Sequence, residues 1–129
     1  MEEPVWISKR AILAMHREQL AEHGGSDGLR DETLLDSALG KPHNVFAYAD
    51  EPDIFRLAAS YAFGIAHNLP FVDGNKRNAL VASLTFLGRN GWKISASKED
   101  TYFAFLHLAE GNLNENDLAR WFSQHAVRL

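Results

Sequence analysis

Residues 53–68, which read DIFRLAASYAFGIAHN, decide the fold class of this chain. Their apolar residues recur at the i, i+3, i+4, i+7 spacing of one buried helical face: Ile54, Leu57, Ala58, Tyr61, Ala62 and Ile65. Asp53 precedes the run and is a favourable N-cap. Arg56 interrupts the run, which is far shorter than the about 20 apolar residues that a membrane span needs. The stretch therefore predicts a helix of the protein core.

Upstream of this helix, capping and breaking residues predict two more helices. Ser8 is placed to cap a first helix, which the glycine pair at 24–25 ends. Asp31 is placed to cap a second, shorter helix, which Gly40 and Pro42 end. We expect these two helices to form a hairpin. Residues 43–52 have no helical periodicity, so we predict a loop there, although residues 45–48 make it unusually apolar.

Downstream, residues 69–74 read LPFVDG and break the helical pattern, because proline disfavours helical geometry at the residue before it. A new helix is predicted from Asn75 to the Asn90-Gly91 stop. Residues 92–95 are predicted to be extended. Two further helices follow, with capping signals at Ser97 and Asp100 and at Asn114 and Asp117. The predicted fold is all-α: one compact bundle of about six helices over residues 1–129, with at most one short extended segment.

Composition excludes several classes of protein. The 129 residues are 46% hydrophobic and 23% charged, as in a soluble globular protein. There are no cysteines, so disulfides, thiolate metal sites and thiol nucleophiles are excluded. A formal charge of −4 provides no broad surface for nucleic acid. The acidic N-terminus does not resemble a signal peptide. We expect a cytoplasmic protein with no direct contact to nucleic acid or membrane.

The candidate binding and catalytic residues lie where the fourth helix is predicted to begin. The first N–H groups of a helix lack internal partners, and the helix dipole adds about half a positive charge there. Gly74 and Asn75 precede two cations, Lys76 and Arg77, which together suit a polyphosphate. Asp73 has two possible roles: it caps the helix, or it holds Mg²⁺ beside phosphates. Capping is the more common role of such a residue.

Residues 71–77, FVDGNKR, resemble the Fic/Doc family motif H-x-F-x-[DE]-G-N-[GK]-R. Similar segments of Doc-like proteins match residues 24–25, 30–35, 53–68 and 115–121, so the resemblance covers nearly the whole chain. Family members that transfer AMP usually read G-N-G-R-x-x-R. Here Lys76 replaces the glycine after the asparagine and Leu80 replaces the second arginine, as in Doc-type toxins.

The Doc resemblance implies a kinase toxin of a toxin–antitoxin system. Such toxins use ATP to phosphorylate elongation factor Tu and so block protein synthesis, and the C-terminal segment of a cognate antitoxin neutralises them. The resemblance implies that Gly74, Asn75, Lys76 and Arg77 bind the nucleotide phosphates, with Lys76 also part of the catalytic set. It also implies that Asp73 organises Mg²⁺ or the catalytic base. Residues 45–48 are either a docking edge for the protein substrate or a satellite apolar cluster.

Leu69 is the departure that matters most, because it occupies the position of the family's motif histidine. Leucine cannot accept a proton, and a positioned general base is worth about 10²–10⁴ in rate. We therefore expect catalysis to be impaired and phosphate binding to survive. His67 is not expected to serve as the base in place of residue 69, because residues two positions apart in sequence point about 200° apart around a helix axis. It is predicted to be structural.

Two explanations of Leu69 stay open: a natural loss of activity, or a substitution that silences a toxic protein. The presence of Asp73, Asn75, Lys76 and Arg77 together favours the second. Two alternatives to the kinase also stay open: an AMP-transferring Fic enzyme and a non-catalytic module that binds an antitoxin. Lys76 and Leu80 argue against the AMP-transferring enzyme, while Leu69 favours the binding module for the chain as it stands.

Overall fold

A computed structural model describes all residues, 1–129, and contains six helices and two short strands. In chain order the elements are α1 (Lys9–His23), α2 (Glu32–Tyr48), α3 (Ile54–Asn68), α4 (Asn75–Arg89), β1 (Trp92–Ile94), α5 (Lys98–Ala109), α6 (Glu115–His125) and β2 (Ala126–Arg128). The predicted all-α class is therefore confirmed. None of the helices combines the length and apolar character that crossing a membrane requires.

Helix α3 is the centre of the fold, as its apolar pattern predicts. Leu57, Ala58, Tyr61, Ala62 and Ile65 are all fully buried. Helices α2, α4 and α6 pack around α3, and α5 contacts both α3 and α4. Because α3 is covered on several sides, it is apolar around most of its circumference rather than along one stripe.

The helix starts follow the capping residues that the sequence contains. The side chains of Ser8, Asp31, Asp53, Ser97 and Asn114 each accept a hydrogen bond from a first-turn N–H of α1, α2, α3, α5 and α6, respectively. Asn114 and Asp117 also form the reciprocal capping box. Each of these caps contributes about 1 kcal/mol to stability. Only α4 begins without a side-chain cap.

The predicted end of α2 is wrong. The helix continues through Pro42 to Tyr48, so residues 43–48 are helical, and α2 is the longest helix rather than a short one. Proline inside a helix removes one hydrogen bond and costs about 3 kcal/mol. Burial offsets this cost, because Pro42 is buried and the Trp6 ring stacks on His43 with centroids 3.9 Å apart.

The apolar segment at residues 45–48 is consequently the last turn of α2 and not a loop. Val45 and Phe46 pack against the core, whereas Tyr48 is 83% exposed. Most of the apolar surface of this segment therefore belongs to the fold, which favours the satellite-cluster interpretation over a docking edge for Val45 and Phe46.

The predicted hairpin of the first two helices is also wrong. Helix α1 packs chiefly on α4, and α2 packs on α3. An ion pair links α1 to the start of α2, because the Lys9 ammonium lies 2.6 Å from Glu32 and 2.8 Å from Asp36. The eight residues between the two helices are not a tight turn, since they run to the loop between α3 and α4 and bond to it.

The extended segment predicted at 92–95 is present as β1. It pairs antiparallel with β2, which directly follows α6 and was not predicted, with Lys93 opposite Val127. This small ribbon brings the end of the chain back beside the end of α4.

Candidate functional site

The N-terminus of α4 is the one helix start whose first N–H groups are left without a side-chain acceptor. Gly74 occupies the N-cap position with φ 79° and ψ 18°, a left-handed conformation that glycine adopts without strain. The first helical hydrogen bond of α4 runs from Asn78 N to Gly74 O. The N–H groups of Asn75, Lys76 and Arg77 therefore point out of the helix end unpaired, as an anion site requires.

Residues 72–77 line a pocket of about 310 Å³ at this helix end. Lys76 and Arg77 both lie on it, and neither makes an ion pair with a carboxylate. The Lys76 ammonium instead sits 4.9 Å from the centre of the Tyr102 ring of α5. Two cations without acidic partners beside free N–H groups give the pocket a positive potential, which favours anions.

Asp73 is the only carboxylate of this pocket, and the capping interpretation of it is wrong. Its Oδ1 accepts a bond from the N–H of Gly74 at 2.8 Å, and its Oδ2 accepts one from the N–H of Ser26 at 3.3 Å. It therefore caps no first-turn group of α4. A Cβ on Gly25 would lie only 2.8 Å from Oδ2 and would displace the carboxylate, and φ 123° at this position is strained for any residue other than glycine.

The residues present fit a nucleotide with Mg²⁺. Each oxygen of Asp73 accepts a single hydrogen bond and keeps lone pairs for a hard cation, for which carboxylate oxygen is a preferred ligand. The unpaired N–H groups and the two cations suit the phosphates that such a cation accompanies. The roles of Asp73, Gly74, Asn75, Lys76 and Arg77 toward nucleotide and metal stay predictions.

The side chain of Asn75 has a structural task that the motif alone does not reveal. Its Oδ1 accepts a bond from Phe71 N, and its Nδ2 donates one to Phe71 O, both at 3.0 Å. The amide thus closes the loop onto the start of α4. Of this residue, the main-chain N–H is the group left available to an anion.

Leu69 forms the end of α3 and the entrance to the loop. It is the only non-glycine residue with positive φ, at φ 50° and ψ 53°, and its side chain is 49% exposed. Left-handed geometry costs a leucine about 1–2 kcal/mol, whereas histidine is several-fold enriched among non-glycine residues with positive φ. Leu69 is thus neither buried in the core nor in a backbone conformation that leucine favours.

His67 is placed as the structural interpretation expects. Its ring stacks on Phe63, one turn earlier in α3, with centroids 4.0 Å apart. Lys41 of α2 lies over the same Phe63 ring at 4.3 Å. His67 does not line the pocket at the start of α4.

Two residues that contact the loop received no role from the sequence. His16 of α1 is buried, stacks on Phe71 at 3.9 Å and donates from Nε2 to the carbonyl of Asp73 at 2.8 Å. Arg30 donates from its guanidinium to the carbonyls of Asn68 and Leu69. For Arg30 the available signal was its position directly before the N-cap Asp31 and after a glycine-rich stretch. His16 lies on a helix and gave no comparable signal.

Comparison with known proteins shows the family of this chain. The model of the Fic/DOC family matches residues 6–87, more than half of the chain. A relative named "Protein kinase doc", from Escherichia phage P1, is 33% identical over 93 residues, which are 72% of this chain and 74% of the relative. A relative named "Toxin Doc", from Mycolicibacterium smegmatis, is 39% identical over 74 residues, 57% of each chain. The chain therefore belongs to the Fic/Doc family.

Proposed function

We propose that this chain is a Doc-type toxin whose framework transfers the γ-phosphate of ATP to a hydroxyl group of a translation factor. Elongation factor Tu is the substrate that the Doc resemblance implies, and growth arrest is the expected consequence. A cognate antitoxin, acting through its C-terminal segment, is the proposed partner. The names of the two relatives, a kinase and a toxin, support this assignment.

One observation carries the proposal: the N-terminus of α4 lacks a side-chain cap and opens on a pocket with two unpaired cations. The other five helices have such a cap. An uncapped end foregoes about 1 kcal/mol of stability, and an anionic ligand supplies the missing acceptor. The charge and geometry of the site thus fit phosphate groups better than a neutral ligand.

The residues of the chain divide the task of phosphoryl transfer among them. The unpaired N–H groups of Asn75, Lys76 and Arg77 would donate hydrogen bonds to the phosphate oxygens, and the two cations would offset the negative charge that grows in the transition state. Asp73 would hold Mg²⁺, which would offset the negative charge of the phosphates. Position 69 is where a general base would take the proton of the attacking hydroxyl.

Leu69 leaves this arrangement without that base. We propose that the chain as it stands binds ATP but transfers phosphate about 10²–10⁴-fold more slowly than a chain with histidine at position 69. The left-handed backbone at position 69 supports histidine as a suitable residue there. Because leucine cannot act as the base, a non-catalytic, antitoxin-binding role is the second candidate for the unaltered chain.

The test is a gain of function. The unaltered chain, Leu69→His and the control Leu69→Gln, which is polar but not basic, are produced in bacteria, and growth is followed. The purified proteins are then incubated with lysate and with ATP labelled at the γ- or the α-phosphate. We expect only Leu69→His to arrest growth and transfer γ-label, and Lys76→Ala in that background to abolish both.

Other outcomes contradict defined parts of the proposal. Transfer of α-label by Leu69→His makes the chain an AMP-transferring enzyme. Robust transfer by the unaltered chain refutes the impairment that we assign to Leu69. If none of the variants transfers either label, the kinase assignment fails and the binding-module function takes its place.

A further inference from the structure

The segment before α2 forms a clamp on the loop between α3 and α4. The N–H groups of Arg30 and Asp31 both donate to the carbonyl of Pro70, at 2.7 and 3.0 Å. Gly28 O accepts from Val72 N at 3.0 Å, and Leu29 forms an isolated antiparallel bridge with Phe71. The loop that carries the motif is thus held along its length by a segment about 40 residues earlier in the chain.

The Arg30 side chain extends this clamp to the residue at the catalytic position. Its Nε donates to the carbonyl of Leu69 at 2.7 Å, and its Nη2 donates to the carbonyl of Asn68 at 2.9 Å. These carbonyls lie at the C-terminal end of α3, where a cation is favoured by the helix dipole. Arg30 makes no ion pair with a carboxylate, so its charge is directed at these two carbonyls.

The fork of the guanidinium suits this task. Two donors in a rigid plane fix two successive carbonyls relative to each other, which a lysine ammonium cannot do. The carbonyl of Leu69 is fixed by Arg30, and its N–H donates to Ile65 O at 3.2 Å. Both peptide groups around the left-handed residue are therefore held, and with them the direction in which the side chain at position 69 leaves the main chain.

We propose that Arg30 is a positioning residue: its guanidinium holds position 69 in the left-handed conformation that aims the side chain there at the reacting hydroxyl. This inference rests on the proposed function and deepens it, because it assigns a task to a residue outside the motif. Arg30 touches neither nucleotide nor substrate in this scheme. Its loss should lower kcat and leave the binding of ATP unchanged.

The kinetic test uses Leu69→His as the parent and adds Arg30→Ala, Arg30→Lys or the control Arg10→Ala. Arg10 is an exposed arginine of α1 whose side chain makes no hydrogen bond or ion pair. We expect Arg30→Ala to lower kcat about ten- to a hundredfold, as misplacement of a reacting group does, with KM for ATP within about twofold. The kcat of Arg30→Lys should lie between those of the parent and Arg30→Ala, and the kcat of Arg10→Ala should equal that of the parent.

A second measurement works without any activity and uses the unaltered chain. Hydrogen exchange is compared between this chain and its Arg30→Ala variant, at the amides of Leu69 and Val72. Both amides are hydrogen-bonded within the clamped region. We expect their exchange to accelerate about tenfold or more, while the amides in the middle of α3 and α6 keep their protection.

These results separate the two proposals. If Leu69→His transfers no label but Arg30→Ala accelerates exchange only in the loop, the clamp stands and the kinase assignment fails. If Leu69→His is active and kcat of its Arg30→Ala variant stays within about twofold, the positioning role is refuted. A higher KM for ATP with unchanged kcat also refutes it, because Arg30 would then be a binding cation. Uniformly faster exchange throughout the chain would reduce Arg30 to a general stabiliser.

Discussion

At the scale of single residues, Leu69 combines three properties that rarely occur together in leucine. It has a positive φ, it is half exposed, and the motif resemblance implies that it takes the place of a histidine. In our proposal the surrounding hydrogen bonds hold this conformation, because Arg30 donates to the Leu69 carbonyl and the Ile65 carbonyl accepts from the Leu69 N–H. The leucine therefore adopts a geometry that the framework imposes, and it retains the strain.

This strain predicts that Leu69→Gly stabilises the chain. Glycine adopts φ 50° freely, and the exposed leucine side chain loses little burial when it is removed. We expect the free energy of unfolding to rise by about 0.5–1 kcal/mol after the entropy of the unfolded glycine is deducted. Urea denaturation measures this change. Val72→Gly is the matched control, since Val72 is equally exposed but has no positive φ, and it should destabilise.

At the scale of elements, the crossing of α2 and α3 depends on Gly64. A Cβ at this position would lie 3.1 Å from both Cα and Cβ of Ala38 and 3.2 Å from the Ala38 carbonyl oxygen. Two of these atoms belong to the main chain of α2 and cannot turn away as a side chain can. Ala38 is also the residue four before Pro42, and proline offers its carbonyl no N–H for the usual helical bond. Small residues on both helices permit this close approach.

Gly64→Ala and Gly88→Ala should consequently have opposite effects on the free energy of unfolding. Both glycines lie inside helices, where alanine is favoured by about 1 kcal/mol. A Cβ on Gly88 meets nothing within 4 Å, so this variant should gain about 0.5–1 kcal/mol. Gly64→Ala must push α2 and α3 apart, and we expect a net loss of about 1 kcal/mol. Thermal or urea unfolding decides the matter: equal gains in both variants would show that the crossing adapts at no cost.

At the scale of the whole molecule, a few side chains join elements that are distant in sequence. The Tyr61 hydroxyl, in the middle of α3, accepts from Ile7 N at 3.2 Å and donates to Ile7 O at 3.5 Å, which ties the segment before α1 to the core. Glu115 at the start of α6 contacts Arg56 of α3 and Lys41 of α2, at 3.1 and 3.0 Å. These ties connect the helix ends around α3.

The buried tie at Tyr61 predicts a dependence of stability on alkaline pH. Burial raises the pKa of Tyr61 above its ordinary value of 10.0, although the bond to the Ile7 main chain partly opposes this. The neutral phenol is therefore favoured in the folded state. Its contribution is complete below about pH 10 and is lost as the pH rises toward the folded pKa, because the unfolded state releases its proton first.

Tyr61→Phe tests this dependence. At pH 8 this substitution should lower the free energy of unfolding by about 1 kcal/mol, because the buried N–H of Ile7 loses its acceptor. Above about pH 10 the difference from the parent should shrink, since the parent loses stability that the variant never had. Tyr48→Phe is the control, because Tyr48 is highly exposed, and it should change stability by less than about 0.5 kcal/mol at either pH. A difference that stays constant between pH 8 and pH 11 would contradict the raised pKa.

The sequence by itself determined the number of helices, the places where they begin, and the motif at the start of α4. Helix starts are local features, because a capping side chain contacts an N–H group only three residues away; hence Ser8, Asp53 and Asn114 are readable from sequence. The apolar spacing of α3 likewise predicts its central place, since burial follows helical periodicity directly.

Only the tertiary structure decided the features that depend on distant partners. Helix α2 continues past Pro42 because the Trp6 ring stacks on His43, and Val45 and Phe46 pack against the core. These contacts outweigh the local cost of proline. Asp73 bonds to Ser26 instead of capping α4, and Arg30 reaches the carbonyl of Leu69, because the segment between α1 and α2 folds back onto the motif loop. Local sequence records which hydrogen-bonding groups are available, but the packing of remote segments selects their partners.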